Sequence, residues 1–276
     1  MGAGDASALP PRMPSTIYCL PISESPWTLV VFATAIVDSK TDPVDELSLA
    51  AKIAIWIIPV VFGITVHEVA HGWVANRFGD PTARLAGRLT LNPVKHIDPV
   101  GTVVVPLLLL LFSGFVMGWA KPVPVDARRL NSPRRDMAVV ALAGPGSNLI
   151  MALLWALVVK LALVYHSALG NAGMLLIFMG VAGVFINTIL CVLNLLPLPP
   201  LDGGRVLTSL LPPRLSLAVG RIEPWGLVII LVLLLTGVLG QILYPALDFV
   251  TRSLSVLIGV PQHFFYSMLE TLLGAG

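Results

Sequence analysis

Four long apolar runs constrain this chain more than any other feature of its sequence. They cover about 48–76, 136–166, 174–198 and 225–244. Each is long enough to cross the roughly 30 Å hydrocarbon core of a bilayer as a helix. Only 12% of the residues are charged, whereas a soluble domain carries about 25%. The sequence therefore predicts an all-α polytopic membrane protein with about four to six transmembrane helices.

A fifth apolar run, 100–119, is followed directly by the proline-rich segment Lys121–Val125, which cannot be helical. Lys and Arg are concentrated in three segments, and the positive-inside rule places all three on the cytoplasmic side. A full crossing by the fifth run would put two of them on opposite sides of the membrane. We therefore expect a membrane re-entrant segment around 100–125. The basic segments are 77–97, 120–135 and 199–224.

The first apolar run contains His67-Glu68-Val69-Ala70-His71. Histidines four residues apart lie on one face of a helix, so both imidazoles can reach one tetrahedral zinc ion. Glu68 is then placed to act as general base toward a metal-bound water. Two histidines at this spacing can also occur by accident, but the chain has only 5 His. Polar residues inside an apolar run are also costly unless they bind something. The motif therefore predicts a zinc centre.

Asp202 is the expected third zinc ligand. It follows a stretch with three prolines, Asn194–Pro200, at which an apolar helix must end. With a re-entrant segment at 100–125, the topology brings Asp202 to the same membrane face as His67 and His71. An aspartate there would complete a site of two histidines and one carboxylate, with the fourth position open. On local sequence alone, a helix cap or turn aspartate followed by turn glycines is the commoner case.

These motifs together resemble those of the site-2 protease family of intramembrane zinc metalloproteases. They are the HExxH of the first run, Gly144-Pro145-x-x-Asn148, and Asn194 with the Asp202-Gly203 that follows it. The stretches 92–102 and 118–125 resemble the compact prokaryotic branch, without PDZ or CBS domains. The resemblance covers about 48–245. It implies one Zn²⁺ per chain, bound by His67, His71 and Asp202, with Glu68 as the base.

The resemblance also implies a transmembrane protein substrate, cleaved within the bilayer. Asn148 is expected to donate a hydrogen bond to a substrate carbonyl or oxyanion, although packing between helices is an equal alternative. The proline-rich segment is expected to pair with an unwound substrate as an added strand. His96 is expected to be an ordinary loop histidine. The candidate substrate or oxyanion residues are Asn148, Asn194, Lys121, Pro122, Val123, Pro124 and Val125.

Three regions follow from these assignments. Residues 1–46 carry six acidic and two basic residues and no run long enough to span, so we expect an extracytoplasmic tail. Residues 47–245 form the metalloprotease core, and 246–276 form an interfacial or membrane helix. The protein is expected in the prokaryotic inner membrane, with its active site toward the cytoplasm. Its expected partners are the lipid bilayer, the substrate, and a homo-oligomer or regulatory membrane protein.

Other functional classes fit the sequence less well. It has no basic stripe of the kind that binds nucleic acid and no glycine-rich phosphate loop. A transporter would explain polar residues in the membrane, but it needs no base beside two histidine ligands. A non-catalytic scaffold that keeps the metal for stability is the second alternative, although all four candidate residues of the zinc centre are present.

Overall fold

The computed structural model describes residues 47–105, 108 and 118–273, and in these ranges the regular secondary structure is entirely helical. The predicted tail, 1–46, lies outside the described residues. The main helices are α1 (Leu49–Arg77), α2 (Pro133–Val164), α3 (Asn171–Asn194), α4 (Asp202–Leu210), α5 (Pro213–Gly220), α6 (Gly226–Leu235), α7 (Val238–Ile258) and α8 (Gln262–Leu273). Shorter helical turns lie at Thr82–Leu85, Pro93–His96, Pro99–Val104, Ala127–Arg129, His166–Leu169 and Glu223–Trp225.

Four helical segments in the described ranges are long and apolar enough to cross a membrane. They are α1, α2, α3 and the segment Pro213–Leu235, which combines α5 and α6. Helices α7 and α8 together pass the same test as a pair bent by 119°, so the number of spans is four or five. The prediction of an all-α polytopic membrane protein is confirmed.

The fourth predicted run, 225–244, is not one helix. Helix α6 ends at Leu235, where the Thr236 hydroxyl donates to the carbonyl of Val232 at 2.8 Å. Gly237 then adopts a φ of 77°, a left-handed conformation that glycine adopts without steric cost. Helix α7 starts directly after it and continues through Pro245. The fourth span therefore ends earlier than predicted, at Leu235, and it also begins earlier, at Pro213. The boundary placed at 245 falls inside α7.

Helices α1, α2 and α3 pack against one another and form the centre of the protein. Gly180 and Gly183 of α3 let this helix approach α2 closely. A Cβ atom on Gly180 would lie 2.6 Å from the Val159 side chain, and one on Gly183 would collide with the ring of Trp155. Small residues at such contacts are typical of helix packing in membranes. The close packing leaves α3 the most buried of the four spans.

The two ends of the fifth apolar run lie next to each other. The Trp119 N–H donates to the carbonyl of Gly101 at 3.0 Å, and the Lys121 N–H donates to the carbonyl of His96 at 2.9 Å. A segment that crossed the membrane would separate its ends by about 30 Å. These contacts support the predicted re-entrant segment, although 106–107 and 109–117 lie outside the described residues.

Candidate metal centre

Three side chains meet at one point between α1 and α4. The Nε2 atoms of His67 and His71 are 3.0 Å apart, and each lies 3.1 Å from Oδ2 of Asp202. The three side chains come from His67 and His71 in α1 and from the first residue of α4, and all three residues are buried. Bond lengths of about 2.0–2.1 Å to a tetrahedral zinc ion separate neighbouring ligand atoms by about 3.3 Å. The three atoms therefore match one face of a zinc coordination sphere.

The Oδ2 atom of Asp202 supports the same conclusion. It is buried, and no hydrogen-bond donor in the described part of the chain satisfies it. A buried carboxylate oxygen without a partner is costly unless it binds a cation. In the described ranges, His67, His71 and Asp202 are the one group of three or more candidate ligands that lie close enough to share an ion. The donor set of two imidazoles and a carboxylate suits zinc.

Each histidine ring is held from behind by an oxygen acceptor. Nδ1 of His67 lies 2.6 Å from Oδ1 of Asn148, and Nδ1 of His71 lies 2.7 Å from the carbonyl oxygen of Val140. Because both partners accept, each ring carries its proton on Nδ1. The Nε2 lone pairs are then free for the metal. Val140 acts through its backbone, so no residue type in the sequence could have signalled it.

Gly144 lets helix α2 approach the metal ligands. A Cβ atom at this position would lie 2.6 Å from Nε2 of His67 and would also collide with Nε2 of His71. Gly146, two residues later on α2, has no such restriction, because a Cβ atom there would meet nothing within 4 Å. The glycine of the Gly-Pro motif is therefore required by space beside the metal centre.

The loop before Asp202 is also shaped by glycines. A Cβ atom on Gly203 would collide with the carbonyl oxygens of Leu195 and Leu196, and one on Gly204 would collide with the backbone of Pro199. The two glycines let the first turn of α4 pack directly on the chain that leaves α3. This close packing is what turns the Asp202 side chain toward the histidines.

Asn148 lies behind His67 and not in the position expected of an oxyanion donor. Its side chain is fully buried. While Oδ1 faces His67, its amide nitrogen donates to the carbonyl of Gly63 at 3.3 Å and to Oδ1 of Asn187 at 3.0 Å. Every polar atom of this amide is therefore engaged. The oxyanion role that we predicted for Asn148 does not fit this placement, whereas the alternative of an asparagine bonded between helices does.

Glu68 is half-buried and points away from these buried amides. Its Oε2 accepts a hydrogen bond of 2.7 Å from the backbone N–H of Val123. No partner for Oε1 is found in the described part of the chain. The proline-rich segment therefore contacts the predicted base directly, and it leaves one carboxylate oxygen free.

The proline-rich segment, 121–125, is held in place by two further contacts. Arg88 donates to the carbonyl oxygen of Lys121 at 2.7 Å, and the Lys121 N–H is bound to His96, as described above. The side chain of Val123 packs on Gly72 of α1. The segment has no regular secondary structure. The N–H groups of Lys121 and Val123 are engaged and the two prolines have none, so among these five residues only the N–H of Val125 has no partner in the described part of the chain.

Two of the remaining candidates form hydrogen bonds to backbone carbonyls outside the three-ligand group. The amide nitrogen of Asn194 donates to the carbonyl of Leu190 in its own helix at 2.9 Å. His96 is buried, with Nε2 3.0 Å from the carbonyl oxygen of Thr90. Sequence reasoning did not identify Asn187 or Arg88 as neighbours of the site, because neither belongs to a metal-binding motif.

Comparisons with known proteins agree with this geometry. Residues 55–170 and 161–237 match the model of peptidase family M50. YwhC of Bacillus subtilis, provisionally named as a zinc metalloprotease, is 40% identical over 197 residues, which are 70% of this chain and 85% of YwhC. Rip2 of Mycolicibacterium smegmatis, named in the same way, is 31% identical over 229 residues, or 80% of this chain and 83% of Rip2.

The archaeal protein MJ0611 of Methanocaldococcus jannaschii, which also bears a provisional zinc metalloprotease name, is 28% identical over 154 residues, or 55% of this chain and 68% of MJ0611. No solved structure matches the chain significantly. The resemblance to site-2 proteases seen in the motifs is thus confirmed by a match that covers most of the helical core. The chain belongs to peptidase family M50, and it is a zinc metalloprotease with apolar helices that place it in a membrane.

Proposed function

We propose that this protein hydrolyses peptide bonds of transmembrane proteins within or near the bilayer, at a zinc ion held by His67, His71 and Asp202. One observation carries the proposal. Three buried ligand atoms lie 3.0–3.1 Å from one another, and the residue next to the first ligand is a carboxylate with a free oxygen. That combination is what the hydrolysis of an amide by a metalloprotease requires.

The chain supplies the base and holds it in place. Bound zinc contributes Lewis acidity toward a water molecule and toward the scissile carbonyl. Oε1 of Glu68 takes the proton of the attacking water and later delivers it to the leaving amine. The Val123 N–H fixes Oε2 during both transfers. Asn148 and Val140 keep the two imidazoles oriented, so the ligands need no rearrangement.

The depth of the site fits a substrate in the membrane. His67 and His71 lie roughly 9–15 Å from the end of α1 at Arg77, at 1.5 Å per residue. The basic segments at that end favour a cytoplasmic orientation in a prokaryotic inner membrane. A cavity open to that side would admit water to the zinc. A homo-oligomer or a regulatory membrane protein remains a predicted partner.

A substrate helix must unwind before its carbonyls can be attacked, because its own hydrogen bonds occupy them. We propose that the unwound substrate pairs with the proline-rich segment, 121–125. The contacts of this segment refine the proposal. The groups of this segment without a partner in the described part of the chain are the carbonyls of residues 122–125 and the N–H of Val125, since the Val123 N–H already donates to Glu68 and the Lys121 carbonyl accepts from Arg88. The substrate would therefore be bound mainly through its own N–H groups.

Zinc content and cleavage, measured on one preparation, test the proposed function. Wild type and Glu68→Gln are purified in detergent, analysed for zinc and reconstituted with a panel of single-span fusion proteins. Both should contain one zinc per chain. Cleavage by the variant should be about 10²- to 10⁴-fold slower, the usual contribution of a general base. Cleavage at the wild-type rate by Glu68→Gln would contradict the proposal, and a zinc-bound wild type that cleaves no member of the panel would favour the scaffold.

A further inference from the structure

The buried hydrogen bonds behind His67 continue beyond Asn148, its direct partner, to a further residue, Asn187. Asn187 of α3 is fully buried. Its Oδ1 accepts from the amide nitrogen of Asn148 at 3.0 Å, and its own amide nitrogen donates to the carbonyl of Gly183 at 2.9 Å. A continuous series of hydrogen bonds therefore runs from α3 through Asn148 to Nδ1 of His67.

This series fixes the direction of every hydrogen bond in it. The amide of Asn187 can present only Oδ1 to Asn148, because its nitrogen is committed to Gly183. Asn148 must then turn its nitrogen toward Asn187 and toward the carbonyl of Gly63, and its oxygen toward His67. A flipped Asn148 would place its oxygen against two other acceptors, at the cost of unmade hydrogen bonds in a buried site.

The orientation of Asn148 decides which nitrogen of His67 carries the proton. An oxygen 2.6 Å from Nδ1 requires a proton on Nδ1 and leaves the Nε2 lone pair for the metal. An NH₂ group at the same place would favour the other tautomer, whose Nε2–H faces Asp202 and cannot bind zinc. The alternative tautomer would therefore oppose metal binding.

The position of Asn187 is itself built into the helix packing. A Cβ atom on Gly63 of α1 would lie 3.0 Å from Oδ1 of Asn187. The glycine thus brings the backbone of α1, the amide of α2 and the amide of α3 to a single point. Polar groups at such a depth are expensive in a membrane protein unless they serve a function, and neither Asn187 nor Gly63 touches the metal.

We infer that Asn187 is a positioning residue for zinc, which acts through Asn148 by holding His67 in its metal-binding tautomer. The inference rests on the proposed metal site. It predicts that Asn187 affects the retention of zinc more than the stability of the fold. Partners of this kind typically change metal affinity by about 10–100-fold, and one step further from the ligand we expect the lower end of that range.

Helix α3 offers a matched control. Thr188 is also fully buried, and its hydroxyl donates to the carbonyl of Val184 four residues earlier at 2.7 Å. Asn187→Leu and Thr188→Val therefore each remove one buried hydrogen bond within the same helix, but only the first removes the contact with Asn148. A purely structural role predicts the same result for both.

The experiment measures the rate at which the purified, zinc-loaded protein loses zinc to excess chelator. Asn187→Leu should lose zinc about tenfold faster than wild type, and Thr188→Val should stay within about twofold. The cobalt-substituted Asn187→Leu protein should show shifted visible absorption bands, while cobalt-substituted Thr188→Val should not. Equal rates and equal spectra for the two variants would overturn the inference.

Two further variants test whether Asn187 acts on His67 through Asn148. In an Asn148→Ala background, Asn187→Leu should cause no additional acceleration, because the connection is already cut; additive effects would overturn the inference. If Asn187→Leu does not fold, Asn187→Asp is measured in its place. A neutral aspartic acid has the same shape and keeps both hydrogen bonds, so it should retain zinc like wild type, and rapid loss would contradict the proposal.

The controls separate this inference from the proposed metal site. Wild type should contain one zinc per chain and His67→Ala should contain none. A wild type without zinc, or a His67→Ala protein that keeps it, would overturn the metal site and with it the inference. Normal zinc behaviour in these two proteins, with no difference between Asn187→Leu and Thr188→Val, would overturn only the role of Asn187.

Discussion

The two sides of the proposed catalytic centre are built in different ways. The metal side consists of residues on α1, α2 and α4 that are buried and hydrogen-bonded to other helices. The side of the base consists of a half-buried Glu68 held by one backbone N–H from a segment without regular structure. Zinc binding is thus fixed by helix packing, whereas the position of the base depends on one backbone hydrogen bond from a segment outside the helices.

This difference separates two properties of the enzyme. Variants on the metal side should lose zinc, and with it activity, because preorganised ligands are what bind the ion. Variants in the proline-rich segment should keep zinc and change only turnover or substrate binding. We therefore expect a variant to have a larger effect the closer its change lies to the three ligands.

Asp202→Ala should have the largest effect. It removes the carboxylate whose Oδ2 has no other partner in the described part of the chain, and two histidines alone make a weak site. We expect the zinc content to fall from one per chain to near zero, by elemental analysis, and activity to be lost. Asp136→Ala is the control, since Asp136 is equally buried but accepts from Ser132 at the start of α2.

Asp136→Ala should lose some stability and retain its zinc. Full zinc retention in Asp202→Ala would show that the third ligand is a different residue.

Gly144→Ala should have the second largest effect, and it tests the metal side without changing a ligand. The added methyl group would lie 2.6 Å from Nε2 of His67 and displace the histidines or the metal. Gly146→Ala is the matched control on the same helix, because its methyl group meets nothing within 4 Å. We expect zinc affinity, measured by chelator competition, to fall at least about tenfold in the first variant only.

Comparable zinc affinities in the two alanine variants would contradict this explanation of the Gly-Pro motif. Both substitutions replace a glycine inside a helix, which by itself stabilises the fold by about 1 kcal/mol. A loss of zinc in Gly144→Ala cannot therefore be attributed to a weaker helix.

The motifs predicted the three ligands of the metal side because a metal site needs particular residue types at particular spacings, and these can be recognised in a sequence. The spacing of His67 and His71 follows from the helix period, and the positive-inside rule was sufficient to bring Asp202 to the same face. The network behind the ligands was not predictable to the same extent. Val140 uses a backbone carbonyl, which any residue has, and Asn187 lies on a different helix from the residue that it orients.

The fold, too, has features that local sequence predicts and features that it does not. Length and apolarity predicted three of the spans almost to their ends, because both properties can be measured on each run without knowing what it packs against. The fourth was misplaced because the conformation of Gly237, which ends α6, depends on a local backbone choice. The contact between Glu68 and Val123 joins residues 55 positions apart, and no local pattern encodes such a pairing.

Val123→Pro and Val125→Pro should have the smallest effects, and they test the side of the base. The Val123→Pro change removes the N–H that holds Oε2 of Glu68. A hydrogen bond to a charged group contributes about 1.5–3 kcal/mol, so we expect kcat to fall about tenfold or more with the zinc content unchanged. Val125→Pro removes the free N–H instead, and it should raise KM about two- to tenfold.

Comparing the two variants therefore tests whether Val123 and Val125 have separate roles in the same segment. A fall in kcat for Val123→Pro beside a rise in KM for Val125→Pro would show that the segment both holds the base and binds the substrate. The same kinetic change in both variants would mean that the segment acts as one unit. Loss of zinc in either variant would contradict the separation of the two sides, because it would make metal binding depend on a segment for which the described residues show no hydrogen bond to the three ligands.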